Sequence, residues 1–242
     1  LADVQATVAI ARGRLVESRR LRRQDVELRL QRGLKQAAAW ELVYQSIFEM
    51  MLDQPAAALA LVDEATRLGL PPGRSVMPAA VLGRLGATAR ARALLDVVAH
   101  QGPEDTLLQR VGLPFARASV ELGRGQPERA LAHVRDFGPY EAGLHWSVRY
   151  TRAEIQLARR AGAEAEAAFR DVLARRGELT ADGGYPCLAL SHLGLARALV
   201  LSGKADEARR EYQDFLALWK DADPDLPLLQ QAKAEYAKLP VR

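Results

Sequence analysis

Apolar and polar positions follow a helical rhythm along almost the whole chain. Five alanines, Ala57, Ala91, Ala130, Ala165 and Ala208, are each followed four residues later by a bulky apolar residue: Leu61, Leu95, Val134, Phe169 and Tyr212. Residues four apart share one face of a helix. Twelve residues before each alanine stands Gln45, Ala79, Ala118, Ala153 or Ala196. The alanines are spaced 34, 39, 35 and 43 residues apart. A small-residue pair recurring at such a period predicts stacked helical hairpins, with small side chains where the helices approach most closely.

Breaks fall where that model needs them. Long breaks are expected at Gly69 with Pro71-Pro72-Gly73, at Gly102-Pro103, at Gly138-Pro139, at Gly183-Gly184 with Pro186, and at Asp223-Pro224-Asp225 with Pro227. Weaker breaks inside each unit are expected at Asp53-Gln54-Pro55, Gly86, Gly125-Gln126-Pro127, Gly162 and Ser202-Gly203. Proline removes a backbone donor, and glycine permits positive φ, so both end helices. A final apolar stripe, Leu228, Leu229, Ala232 and Tyr236, predicts one more helix over 226–239 that covers the last hairpin.

Composition supports an all-α chain. Aromatics make up 6% of the 242 residues, and Ala, Leu, Arg and Glu, all good helix formers, dominate. The net charge of +4 is concentrated at one end: residues 1–35 hold nine Lys/Arg against four acids. Such a patch can meet an acidic partner, a membrane surface or nucleic acid. Residues 1–39 contain no aromatic on which bases could stack, which argues against nucleic acid.

The last unit reads His192-x2-Leu195-Ala196-x2-Leu199, then Ala208-x3-Tyr212, and Ala165-x3-Phe169 precedes it. This resembles the tetratricopeptide pattern W-x2-L-G-x2-Y…A-x3-F. The first-helix tryptophan is absent. Arg117 and Arg152 stand where leucine is usual, and Glu121 and Gln156 where tyrosine is usual. The resemblance implies a right-handed superhelical solenoid of antiparallel helix pairs with a C-terminal capping helix. One solenoid would span 1–242. Within it, 1–39 form basic N-terminal helices at the cut end of a longer array, 40–225 about five repeats, and 226–242 the capping helix and tail. A narrower resemblance rests on EAAFRDVLARRG, DFLALWKDADPDLPLLQQAKAEYAKL, PEDTLLQRVGLP and the Gly138-Pro139-Tyr140-Glu141 turn. These are similar to the C-terminal repeat region of acidobacterial-type signalling proteins, covering most of residues 40–239 and strongest after Phe169. There the repeats follow a Ser/Thr protein kinase, winged-helix or cyclase-type output domain.

Catalytic motifs do not assemble in the sequence. Asp136-Phe137-Gly138 and His133-x-Arg135-Asp136 imitate kinase motifs, yet the chain has no Asn to hold a second metal ion. Ala11 follows Val8-Ala9-Ile10 where a kinase has its lysine. One cysteine, Cys187, excludes an internal disulfide and a multi-cysteine metal site, and the four histidines show no zinc-binding spacing. The expectation is a non-enzymatic fragment without cofactor or metal. No apolar run reaches the roughly 18 residues a span needs, so the fragment is expected to be soluble, on the cytoplasmic or exported side.

In tetratricopeptide arrays the first helices line a concave face that holds partner peptides. Carrying the inward positions over gives Leu42, Phe115, Ser119, Tyr150, Glu154 and Arg197 as the expected contacts for a protein or peptide. Two alternatives stay open: nucleic-acid binding through the basic N-terminal helices, and self-association through an open solenoid end.

Overall fold

The computed structural model describes residues 2–70, 76–177 and 186–240. The expected breaks at Pro71-Pro72-Gly73 and Gly183-Gly184 lie outside them. Among the described residues there is no strand, and the fold is all-α. The helices are α1 (Ala2–Ala11), α2 (Leu15–Gln31), α3 (Lys35–Met51), α4 (Pro55–Arg67), α5 (Val76–Arg84), α6 (Thr88–Gln101) and α7 (Leu113–Gly123). They continue with α8 (Pro127–Val134), α9 (Trp146–Ala158), α10 (Gly162–Ala174), α11 (Pro186–Leu201), α12 (Ala205–Leu218) and α13 (Pro227–Ala237). None of these helices is long and apolar enough to cross a membrane.

One backbone device recurs at every tight connection. Gly13, Gly33, Asp53, Gly86, Gly125, Arg160 and Gly203 adopt positive φ. The next residue donates its N–H to the carbonyl five back: Arg14 to Ala9, Leu34 to Arg29, Gln54 to Glu49, Ala87 to Leu82, Gln126 to Glu121, Ala161 to Gln156 and Lys204 to Leu199. This left-handed cap satisfies carbonyls that the helix end leaves open. The same residue then accepts the first bond of the following helix, from Ser18, Ala38, Ala58, Ala91, Ala130, Ala165 and Ala208. Turns this short force consecutive helices to run antiparallel.

The turns also set the register. Gln54 occupies the place of Gln126, so Ala58 is the equivalent of Ala130, one residue beyond the expected Ala57. Ala58, Val62 and Ala65 are wholly buried, while Ala57 is half exposed. The break expected at Gly162 is made by Arg160 instead. Left-handed backbone costs an ordinary side chain about 1–2 kcal/mol, and glycine returns part of that as unfolded-state entropy. Arg160→Gly is therefore expected to raise stability by about 0.5–1 kcal/mol, read as an upward shift of the urea midpoint.

Two compact units emerge from the contacts: residues 21–144, and residues 3–20 together with 145–242. In the first unit α3 packs on α4, α5 on α6 and α7, and α7 on α8. Its N-terminal core gathers Val26, Ala38, Ala39, Leu42, Val43, Leu61 and Ala65. Beside it the Arg22 guanidinium pairs with Glu41 while stacking 5.0 Å from the Phe48 ring centroid. A π turn at Leu108–Gly112 leads directly into α7, where Pro114 supplies no N–H for the Arg110 carbonyl. The wider turn, closed by Leu113 N–H to Leu108 O, relieves the clash of the proline ring with that carbonyl.

In the second unit α9 packs on α10, α10 on α11, α11 on α12, and α12 on α13. The α1–α2 turn is tied to the end of α12. Asp223 donates its N–H to the Gly13 carbonyl at 3.1 Å, and Val16 N–H donates to Asp223 Oδ2 at 2.8 Å. The capping helix α13 is bolted to the last hairpin by a fork: Arg197 Nε and Nη2 reach the two Glu235 oxygens at 2.9 and 3.1 Å. Tyr212 O–H donates to the same carboxylate at 2.9 Å. Burial, and then the charge of Glu235, push the Tyr212 hydroxyl well above its usual range.

Cys187 sits wholly inside this unit, and burial, aided by the charge of Glu154, raises its thiol pKa. A thiol held neutral and out of solvent does not react. In native buffer a disulfide reagent such as DTNB is expected to leave Cys187 unmodified, and its reaction across a urea series should follow the loss of helical circular dichroism. Rapid labelling of the native chain would contradict this.

Candidate binding surface

Helix-to-helix approach decides what the six expected contact residues can do. Leu42 is buried in the N-terminal core. Phe115 and Ser119 are buried on α7, and the Ser119 hydroxyl donates to the Phe115 carbonyl at 3.1 Å. Tyr150 is buried against Phe169, edge to face, with centroids 6.0 Å apart. Glu154 and Arg197 are half-buried, and Arg197 is committed to Glu235. Leu42, Phe115 and Ser119 belong to the unit of residues 21–144, and Tyr150, Glu154 and Arg197 to the other. In this conformation a partner reaches only Glu154 and Arg197 of the six. Close helix approach is visible on α5 and α7, which cross with Gly83 against Val120 and Gly123 against Gly83 and Arg84. Helices meeting at glycine leave no open seam between them.

An open recess among the described residues of 21–144 has a different lining. It is a cleft of ≈ 290 Å³ between α6, α7 and α8, walled by Arg92, Leu95, Asp96, Arg117, Val120, Glu121 and His133. Leu95 and Val120 form its floor, and charged groups of both signs its rim. Arg124 Nη1 holds Glu121 at 3.0 and 3.1 Å, and Arg92 stands 3.7 Å away. Burial, and then the charge of Arg117, keep the His133 ring pKa below its usual value, with Glu121 opposing. Arg117 is exposed, and among the described residues no carboxylate pairs with it. The cleft can therefore offer one guanidinium and one neutral imidazole to an incoming carboxylate, and the Asp96 oxygen to a cation.

Sequence spacing does not announce this cleft. Arg92, Arg117 and His133 come from three successive helices at unequal intervals, and only packing brings them together. The one available sign was Arg117 itself, a charge at a position where the tetratricopeptide pattern has leucine.

Four of the nine basic residues of the N-terminal segment are seen paired with acids. Arg14 pairs with Glu17, Arg22 with Glu41, Arg23 with Glu64 and Arg29 with Asp25. The Arg23–Glu64 contact is a fork, at 2.6 and 2.9 Å, and it holds the Glu64 carboxyl below its usual range. The kinase-like Asp136-Phe137-Gly138 is a local turn: Asp136 Oδ1 accepts the Gly138 N–H at 2.7 Å while Phe137 is buried.

No protein-family model matches this chain, and none of the curated proteins matches it.

Proposed function

We propose that this chain is an interaction module of tetratricopeptide type, a right-handed superhelical solenoid that binds a protein or peptide and catalyses nothing itself. The observation that carries this reading is the recurring turn. The same left-handed cap and the same alanine-first bond appear at Ala58, Ala91, Ala130, Ala165 and Ala208, and within each compact unit successive helix pairs pack on one another. A helix pair of this kind cannot bury its apolar face alone, so stacking of pairs builds the core. By its resemblance the module is the partner-binding or sensory region of a bacterial signalling protein.

The charged cleft supplies the best-defined contact point for such a partner. Aromatic anchors are buried here, so recognition rests on Arg117, His133 and Asp96 with Leu95 and Val120 beneath them.

Selection of peptides from a random display library against the whole chain tests the reading. Selected peptides should carry an acidic residue, and Arg117→Glu should weaken them about tenfold or more, because like-charge juxtaposition costs several kcal/mol. If no peptide is enriched, or if Arg117→Glu leaves every selected peptide unaffected, the reading fails at this surface.

A further inference from the structure

His192 lies on α11, and Glu211 and Asp214 lie on α12, across the turn that Gly203 makes. Glu211 and Asp214 are three residues apart and share one helix face. The packing of α11 on α12 sets His192 against that face. His192 Nδ1 and Glu211 Oε2 stand 2.7 Å apart. One donor atom from each of the three side chains lies within 4.8 Å of the other two.

We infer that His192, Glu211 and Asp214 form a binding site for a divalent transition metal of the Zn²⁺ class. The donors are one imidazole nitrogen and two carboxylate oxygens, and the two negative charges offset the cation. Imidazole is a poor ligand for Mg²⁺ and Ca²⁺, which prefer all-oxygen shells, and a good one for Zn²⁺, Co²⁺ and Ni²⁺. At bond lengths of about 2.1 Å, tetrahedral ligands stand about 3.4 Å apart. The His192–Glu211 pair is already closer than that, so a cation would take the place of the hydrogen bond with a small opening. Asp214 must close in, and nothing opposes it: its side chain is exposed, and among the described residues no hydrogen bond or ion pair holds it. Water completes the coordination on the solvent side. The ion would cross-link the two helices of the last hairpin, so its binding energy would add to the stability of the native state.

Such a site escapes a reading of spacing along one helix. Its nitrogen and its oxygens come from two helices, and histidine–carboxylate pairs across facing helices have no fixed separation in sequence.

The test uses the full chain, freed of metal with EDTA, titrated with ZnCl₂ by calorimetry and with CoCl₂ by visible absorption. The expected result is about one ion per chain with Kd on the order of micromolar, and a Tm raised by about 5 °C at saturating Zn²⁺. Asp214→Asn touches an exposed side chain and should leave the fold intact while weakening Zn²⁺ about tenfold or more. His192→Gln should do the same and also remove the Co²⁺ spectrum of a nitrogen ligand. Excess MgCl₂ should not displace the ion. The inference is overturned if neither Zn²⁺ nor Co²⁺ binds, if both variants bind as the parent does, or if Mg²⁺ displaces the ion. None of these outcomes depends on whether a peptide binds the α6–α8 cleft.

Discussion

Gly123→Ala is expected to destabilise the unit of residues 21–144 by about 3 kcal/mol, the upper part of the range for overpacking. An added Cβ at Gly123 would overlap the Gly83 carbonyl oxygen and stand 2.7 Å from the Arg84 carbonyl oxygen. Both obstacles are backbone, so no flexible side chain can swing aside, and α5 and α7 must separate. Separation opens the contact of Gly83 with Val120 as well, because the same crossing brings them together. The usual benefit of alanine over glycine inside a helix, about 1 kcal/mol, opposes this and is the smaller effect. Gly143→Ala is the control, since no atom lies within 4 Å of its would-be Cβ. Urea unfolding of the three proteins measures both changes. A Gly123→Ala variant as stable as the parent would mean that α5 and α7 do not cross at glycine.

Glu41→Gln is expected to cost about 3 kcal/mol or more, for an electrostatic reason. The side chains of Arg22 and Glu41 are only 4% and 8% exposed, so the Arg22 charge has little water to turn to. Removing one partner of a buried pair leaves the other desolvated, and that penalty exceeds the net worth of the pair itself. Arg29, 3.9 Å from Glu41, carries a further positive charge toward the same carboxylate. Phe48 beneath the guanidinium favours cations but cannot replace a hydrogen-bonded anion. The double variant Arg22→Met with Glu41→Leu should recover most of the loss, because both charges are then gone and the volume is kept. Thermal unfolding of the single and double variants completes the cycle. If Glu41→Gln costs under about 1 kcal/mol, the pair behaves as a surface bridge and is not buried in solution.

The helices and most of their ends could be read from particular residues. Gly86, Gly125 and Gly203 ended helices because positive φ costs glycine little, and Pro55, Pro127 and Pro227 began them because a first-turn proline loses no bond. One end could not be read this way. Asp53 and Arg160 both adopt the left-handed conformation without glycine; the Asp53 turn is still marked by Pro55, whereas no glycine or proline marks Arg160. Counting from Gly162 therefore placed one turn too late, and counting from Ala57 placed one repeat a residue too early. The binding surface was less legible still. Phe115 and Tyr150 stand at positions that face inward in a regular array, yet burial depends on how closely neighbouring helices approach. That distance is set by Gly83, Gly123 and the ring of Phe169 against Gly194.

The sequence by itself determined that this chain is helical and where several of its helices turn back. Those properties are local: they follow from the 3.6-residue period, from the donor that proline lacks and from the backbone freedom of glycine. Only the tertiary structure decided which faces stay open. It sealed Leu42, Phe115, Ser119 and Tyr150 into contacts, gathered Arg92, Arg117 and His133 around a cleft, and set His192 against Glu211 and Asp214. Each of these depends on the distance and angle between helices that are far apart in sequence. That geometry is fixed by the fit of side chains at the crossings, and no spacing along the chain encodes it.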